Sequence, residues 1–433
     1  MTDIQIGIAG LGILMALLAI KVPIGLALIG VSFAGLWVLI DLRVAWSAIG
    51  IIPYQFSANW VLSSVPMFLL LGYVSYHAEL TQGLFRAARL WLSALPGGLA
   101  IAAIFGSAGF AAVSGSSIAC SAAMGRIAIP EMLKARYHPE LATGTVAVAG
   151  TIGALIPPSV ILILYGVFAQ VSVTQLFLGG IAAGVITAVS YVLVVLIRVW
   201  LNPALAPQHT EHFTWAERIV ALKDTWPILV ILVGIFGGLF SGLFTPTEAG
   251  AVGAFLACLV GLIKRSLTWN AFRLAVLDTM TTTSALIVIG IGASLLTRFL
   301  ALSGTGAFLS DALLSIGSEP VLILLMIVVI YLVLGMFLEP IGAMLLTLPV
   351  MLPVVSELGL SLLWFGIILT KMLEIGMITP PIGMNVFVIK GVVGKTVPTA
   401  AIFKGIFWFL IMDLVVLALL IAFPGVVTMW MSS

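Results

Sequence analysis

Charge is scarce in this chain: Asp, Glu, Lys and Arg make up 8% of its 433 residues, against 62% hydrophobic residues. Soluble domains carry roughly 25% charge. A mean hydropathy of +1.29 therefore excludes a soluble globular protein and points to an all-α polytopic membrane protein. The net charge of +2 is small and the basic residues are scattered, which argues against a nucleic-acid surface and leaves ordinary orientation signals. Arg86, Arg89, Arg126, Lys134, Arg136 and Arg265 mark the neighbourhoods expected on the cytoplasmic side. Cysteine is nearly absent: Cys120 and Cys258 lie far apart in apolar segments, so packing explains both and no disulfide or thiolate metal site is implied. His77, His138, His209 and His212 fall in loops or at span ends without ligand spacing. No histidine inside an apolar segment can act as base for Gly115-Ser116-Ser117, and HExxH and paired aspartates are missing. Both absences argue against an intramembrane enzyme.

Apolar runs near the spanning length of about 20 residues are abundant. They predict ten to twelve spans, near 4–20, 23–40, 60–78, 141–168, 175–200, 226–244, 247–264, 279–301, 320–337, 361–390 and 401–423. The opening MTDIQIGIAGLGILMALLAI has no basic residue ahead of its apolar core and no cleavage site before a soluble domain, so it reads as a first span. Segments 84–95 and 268–277 carry Arg86, Arg89 and Arg273 among apolar residues, the pattern of helices lying along a membrane surface. Segment 202–225 is the one long polar stretch and divides the chain into halves.

Laid over one another with a shift of 223 residues, the halves match at Gly83 and Gly306, Phe85 and Phe308, Leu90 and Leu313, Pro130 and Pro353, and Gly153 and Gly376. Pro157-Pro158 falls on Pro380-Pro381 at the same shift. GTIGALIPPS at 150–159 thus has a twin, GMITPPIGMN, at 376–385. Proline removes a backbone donor and breaks helices, and interrupted apolar segments at matching positions point to the ion and substrate site of a secondary transporter. A lone pair could be a kink, but two in register call for more.

Upstream of each proline pair lies a second interruption, at Ser114-Gly115-Ser116-Ser117 and at Gly335 with Glu339-Pro340-Ile341-Gly342. The shift places Ser116 on Glu339. Apolar flanks of about ten residues would be too short to cross a bilayer. Each interruption therefore reads as the tip of a re-entrant hairpin facing a broken helix. Unwound backbone frees carbonyl oxygens that can replace an ion's hydration shell. One sodium site is expected from Ser114, Ser116 or Ser117 with the backbone of Gly153, Ile156 and Pro157. A second is expected from the backbone of Gly335, Gly376 and Ile382 with Thr379. Half-helix N-termini at the breaks would suit an anionic substrate, for which Ser116, Pro158, Glu339, Pro381, Asn385 and Arg298 are the candidates. Glu339 is the one titratable group in these sets, which favours sodium over protons. Its expected role is to accept hydrogen bonds from loop N–H groups. Helix capping accounts for Glu248, snorkelling for Arg298, and Lys371 is expected to pair with Glu374 one turn away. A continuous pore fits hairpins facing broken helices less well than alternating access.

SGSSIACSAAMGRIAIPEM (114–132), GTIGALIPPS, GLFTPTEAGAV (242–252), FLEPIGAMLLTLPVMLP (337–353) and IGMITPPIGMNVFV (375–388) occur in this order. Together they resemble the signature blocks of the large membrane subunit of TRAP transporters, the DctM-like family. The resemblance covers essentially the whole chain. It implies sodium-driven uptake of an organic acid, such as a carboxylate, through a bacterial inner membrane. It also implies a periplasmic substrate-binding protein (DctP-like) and a small membrane subunit (DctQ-like), here on a separate chain. The implied fold is an elevator-type ion transporter with two inverted repeats, each holding a re-entrant helical hairpin and a broken transmembrane helix. On that reading 1–95 holds scaffold spans and a first arm helix, and 96–200 the first transport repeat, with hairpin 99–124 and broken helix 141–168. A connector, scaffold spans and second arm occupy 201–300. The second transport repeat, with hairpin 320–352 and broken helix 361–390, fills 301–433.

Overall fold

The computed structural model describes residues 2–207, 213–316 and 320–429; His209 and His212 lie outside them. The regular structure of the described residues is all helical, with no strand among them. Among the described residues six helices are long and apolar enough to cross a membrane, or up to eight if each of two bent pairs counts once. Ten to twelve spans were expected. The difference lies in segments split at breaks and in the first two helices, Asp3–Ala19 and Ile24–Leu39, which have 17 and 16 residues. Trp37, Trp46, Tyr54, Trp60, Trp200 and Trp269 are more than half exposed, as aromatic side chains at a membrane interface would be.

The first hairpin consists of Gly98–Ser114 and Ser117–Lys134, the second of Pro320–Phe337 and Pro340–Glu357. These arms have 17 or 18 residues and reach about 26 Å at 1.5 Å per residue. The ten-residue flanks were therefore an underestimate, as were the hairpin ends at 124 and 352. Alanine, glycine and serine in SAAMGRIA continue the helix, and Pro130 and Pro353 are accommodated inside the descending arms. What marks the tips as interior features is their contacts, not arm length.

Side-chain caps start the descending arms at matching places. Ser116 Oγ accepts from the Ala119 N–H at 3.4 Å, and the Glu339 carboxylate accepts from the Gly342 N–H at 2.9 Å, each satisfying an orphan donor of the first turn. The descending arms begin at 117 and 340 and end at 134 and 357, both pairs at the 223-residue shift found in the sequence.

Each hairpin is followed by a broken helix. The first runs Pro139–Ala149, continues as a 3-10 turn Gly150–Ala154, unwinds, and resumes at Val160–Ala169. The second runs Leu362–Gly376, unwinds, and resumes at Met384–Val393. The last long helix, Thr399–Ala422, packs on the first broken helix. Gly144 and Gly405 bring the backbones together there, since a Cβ on Gly144 would lie 2.5 Å from the Gly405 carbonyl carbon. Small residues allow such close packing where lipid gives helices little hydrophobic drive to associate.

Two expectations for the surrounding helices need correction. Segment 268–277 is not a separate surface helix but the start of one 34-residue helix, Trp269–Leu302. That helix is about 51 Å long, which exceeds the roughly 30 Å hydrocarbon layer and leaves room for Arg273, in its first turns, to lie outside it. Leu42–Ser57 is a helix no apolar run announced, bent by 58° from the following segment Trp60–His77. Segment 84–95 does hold a helix, Gln82–Leu92, with Arg86 paired to Asp224 and Arg89 to Glu131.

Glu248 caps its helix as expected: its carboxylate accepts from the Thr245 N–H at 2.8 Å, and its own N–H donates to Thr245 Oγ1 at 3.4 Å. Replacing Glu248 by alanine is expected to lower stability by about 1 kcal/mol, seen as a lower melting temperature of the detergent-solubilised protein.

Candidate functional site

Both hairpin tips and both broken helices meet at one cavity of about 400 Å³. Ser114, Ser116 and Ser117 reach it from the first tip and Glu339 from the second. Ala154 and Val160 come from the first broken helix, Glu374 and Met377 from the second. The opposite wall is Trp60–His77, through Gly72, Tyr73 and Tyr76, together with Thr282 and Leu286 of the long helix.

In the first predicted sodium set, the hairpin tip meets the broken helix through Gly153 and next to Pro157, at Pro158. Gly115, at φ +61°, turns the tip so tightly that a Cβ there would overlap the Pro158 carbonyl oxygen. A Cβ on Gly153 would lie 3.0 Å from the Ser116 carbonyl oxygen. Among the described residues the carbonyls of Ile156, Pro157 and Pro158 accept no backbone hydrogen bond. Ser114 Oγ is buried without a hydrogen-bond partner. Buried polar atoms are rarely left this way, and a hydroxyl on a tip that abuts free carbonyls has the donor chemistry of an alkali-cation site.

The second set is drawn together only in part. Gly335 and Gly376 pack backbone to backbone, a Cβ on Gly376 falling 2.5 Å from the Gly335 Cα. Thr379 Oγ1 donates to the Ile375 carbonyl at 2.6 Å, leaving its lone pairs free. Ile382 is exposed, as are Pro380 and Pro381. The first break is buried and the second faces outward.

The substrate candidates divide likewise. Ser116 and Glu339 line the cavity, and Pro158 abuts the first tip. Pro381 and Asn385 do not line it. Asn385 is buried against the first broken helix, its Nδ2 donating to the Ala147 carbonyl at 3.4 Å while its Oδ1 has no partner. Arg298 does not line the cavity either, but a separate groove with Gln55, Phe56, Ser294 and Thr297.

The pairing of Lys371 with Glu374 is not formed. Lys371 Nζ instead contacts Asp413 Oδ1 of the last long helix at 2.5 Å, with both side chains buried. Tyr191 donates to the same carboxylate at 2.8 Å and lies 3.0 Å from Thr151 Oγ1 in the first break. Glu374 accepts from Ser117 Oγ at 2.7 Å, and its Oε1 has no partner. The cavity thus holds two carboxylates, where the sequence reading counted Glu339 alone. Asp413 was readable, because an acid alone in the apolar run 405–422 is a functional candidate by default. Its partners, 42 and 222 residues away, were not.

A multi-pass helical protein whose hairpin tips and broken helices close on one interior cavity has the architecture of a membrane transporter. The YdaH transporter of Alcanivorax borkumensis superimposes with a TM-score of 0.63 over 89% of this chain and 88% of its own, at 17% identity. MtrF of Neisseria gonorrhoeae gives 0.57 over 88% and 85%, at 16% identity. At such identity the likeness concerns the fold alone. The chain belongs to the family of the DctM component of tripartite ATP-independent periplasmic transporters, whose profile matches residues 11–426. It is 31% identical to the sialic acid TRAP transporter large permease protein SiaM of Vibrio cholerae, over 95% of each chain. It is 33% identical to the C4-dicarboxylate large permease protein DctM of Pseudomonas aeruginosa, over 86% of each. With the 2,3-diketo-L-gulonate large permease protein YiaN of Escherichia coli it shares 30% identity over 77% of this chain and 78% of that one. These relatives are named as permeases, not enzymes.

Proposed function

We propose that this chain is the large permease of a sodium-coupled importer of an organic acid in a bacterial inner membrane. It would act with a small membrane subunit and a periplasmic binding protein that delivers the acid. The observation that carries the reading is the meeting of four interrupted segments at one cavity, with a buried, unpartnered Ser114 hydroxyl on the tip that abuts the free Pro158 carbonyl. The permeases named for sialic acid, C4-dicarboxylates and 2,3-diketo-L-gulonate support a carboxylate substrate. Ser114, Ser116 and Ser117 with Gly153, Ile156 and Pro157 form the first sodium set, and Gly335, Gly376 and Thr379 the core of the second.

The cavity lies between the hairpins with their broken helices and a wall of intact helices. That division supports an elevator, in which two inverted repeats move past a fixed scaffold. Gly72 marks the sliding contact: a Cβ there would lie 2.9 Å from the Ser114 Cα.

The test is uptake of the three acids by proteoliposomes holding both membrane subunits, with loaded binding protein, under imposed sodium or proton gradients. Sodium-driven uptake is expected. Ser114→Ala and Thr379→Ala should each raise the sodium concentration for half-maximal uptake about tenfold, the size of one lost ligand interaction near 1.4 kcal/mol. Uptake indifferent to sodium, or unaltered in both variants, rejects these sites; uptake without the binding protein rejects the tripartite reading.

A further inference from the structure

We propose that Arg126, with Tyr76 beside it, receives a carboxylate of the substrate at the mouth of the central cavity. The inference rests on the organic-acid reading above and assigns the residue that recognises the acid group.

Among the described residues the cavity lining contains Glu339 and Glu374 but no basic side chain. An organic anion arriving there finds carboxyl and hydroxyl groups but no cationic partner in the lining, and an unpaired charge is costly where little water intervenes. Bound cations would relieve part of it, yet cations at the tips do not orient a carboxylate. A fixed donor near the cavity is needed for that.

Arg126 has the right position. It lies on the descending arm of the first hairpin, where Ala119 and Ala122 line the cavity. Position 126 continues the same face, at the helical spacing of three and then four residues. Nine residues past Ser117 it stands about 13 Å along the axis, but a helical side chain leans toward its helix N-terminus. For this helix the N-terminus is the hairpin tip. Arg126 Nη1 donates to Tyr76 Oη at 2.8 Å, and Tyr76 itself lines the cavity. The phenol accepts from the guanidinium and keeps its own O–H to donate to a substrate oxygen.

Arg126 is also uncommitted where neighbouring cations are not. Arg86 pairs with Asp224, while Arg89 and Lys134 share Glu131. Among the described residues no carboxylate lies in ion-pair range of Arg126, and its partner is a neutral phenol. A guanidinium has five N–H donors in a planar fork matched to a carboxylate, so with one donor on Tyr76 a bidentate edge stays available. Arg126 is exposed and needs no partner for burial. Simple anchoring at the cytoplasmic interface would require charge at this position but not the fork, nor the contact with a cavity-lining tyrosine.

The test measures equilibrium binding of radiolabelled sialic acid, succinate and 2,3-diketo-L-gulonate to the purified membrane complex, without binding protein, so that the affinity is the permease's own. R126Q is expected to weaken binding of the preferred acid by roughly tenfold to a hundredfold, the range for a lost hydrogen bond to a charged group. R126K keeps the charge but not the fork and should fall between R126Q and wild type. Tyr76→Phe should show a smaller loss. Melting temperatures of the variants are compared with wild type, and R126K, which preserves the charge, decides the matter if R126Q is unstable. Wild-type affinity in R126Q, or in R126K should R126Q be unstable, overturns the assignment of Arg126 and leaves the organic-acid reading standing. A wild-type complex that binds none of the acids overturns that reading, and this inference with it.

Discussion

Replacing Asp413 by leucine is expected to destabilise the protein by about 3–5 kcal/mol, the cost of leaving a buried charge without its partner. Lys371 and Asp413 are 0% and 1% exposed and meet at 2.5 Å, so the lysine left behind has no route to water. The nearest substitute is Glu374, one turn along the same helix. Taking it would draw that carboxylate away from Ser117, which now donates to it at 2.7 Å, and so away from the first hairpin tip. Asp413→Leu should therefore lose transport whether it unfolds or rearranges. Replacing both partners, Lys371→Met with Asp413→Leu, removes the orphaned charge, and the double variant should recover most of the stability. Thermal denaturation of the two single variants and the double variant decides the point. Equal losses in all three would mean that the contact contributes shape rather than charge compensation.

The same residues show what was readable in the chain and what was not. The proline pairs, the serine-rich tip and the Glu339 tip act through local backbone chemistry: a missing N–H, an orphan donor, a left-handed glycine. Sequence carries such effects directly, which is why the descending arms fall at the shift that the glycines and prolines defined. Lys371 lay beyond that reach. A spacing of three residues allows contact with Glu374 but cannot say which acid wins. The outcome was set by Asp413 on another helix, already held by Tyr191, and by Ser117, which holds Glu374 from 257 residues away. The groove that Arg298 lines was out of reach for a related reason. The position of Arg298 near a span end was right, but the helix turns it toward Leu42–Ser57, through Gln55 and Phe56, and that helix has no long apolar run to announce it.

Gly115→Ala is expected to reduce uptake by roughly a hundredfold or more, a free-energy loss near 3 kcal/mol. Two costs combine. At φ +61° an alanine in the left-handed region costs about 1–2 kcal/mol, and its Cβ would also overlap the Pro158 carbonyl oxygen. Neither neighbour can yield cheaply, because the oxygen belongs to backbone and the tip is held by the Ser116 cap. The tip must lift away from the break, separating Ser114, Ser116 and Ser117 from the carbonyls of Ile156 and Pro157. Gly242 separates the two costs: it has φ +75°, and a Cβ there would meet nothing within 4 Å. Gly242→Ala carries the backbone cost alone and should lower stability without changing the sodium dependence of uptake. Gly115→Ala should lose uptake, and whatever activity remains should need more sodium for half-saturation. If both variants behave alike, contact between the tip and the first break is not what assembles the ion site.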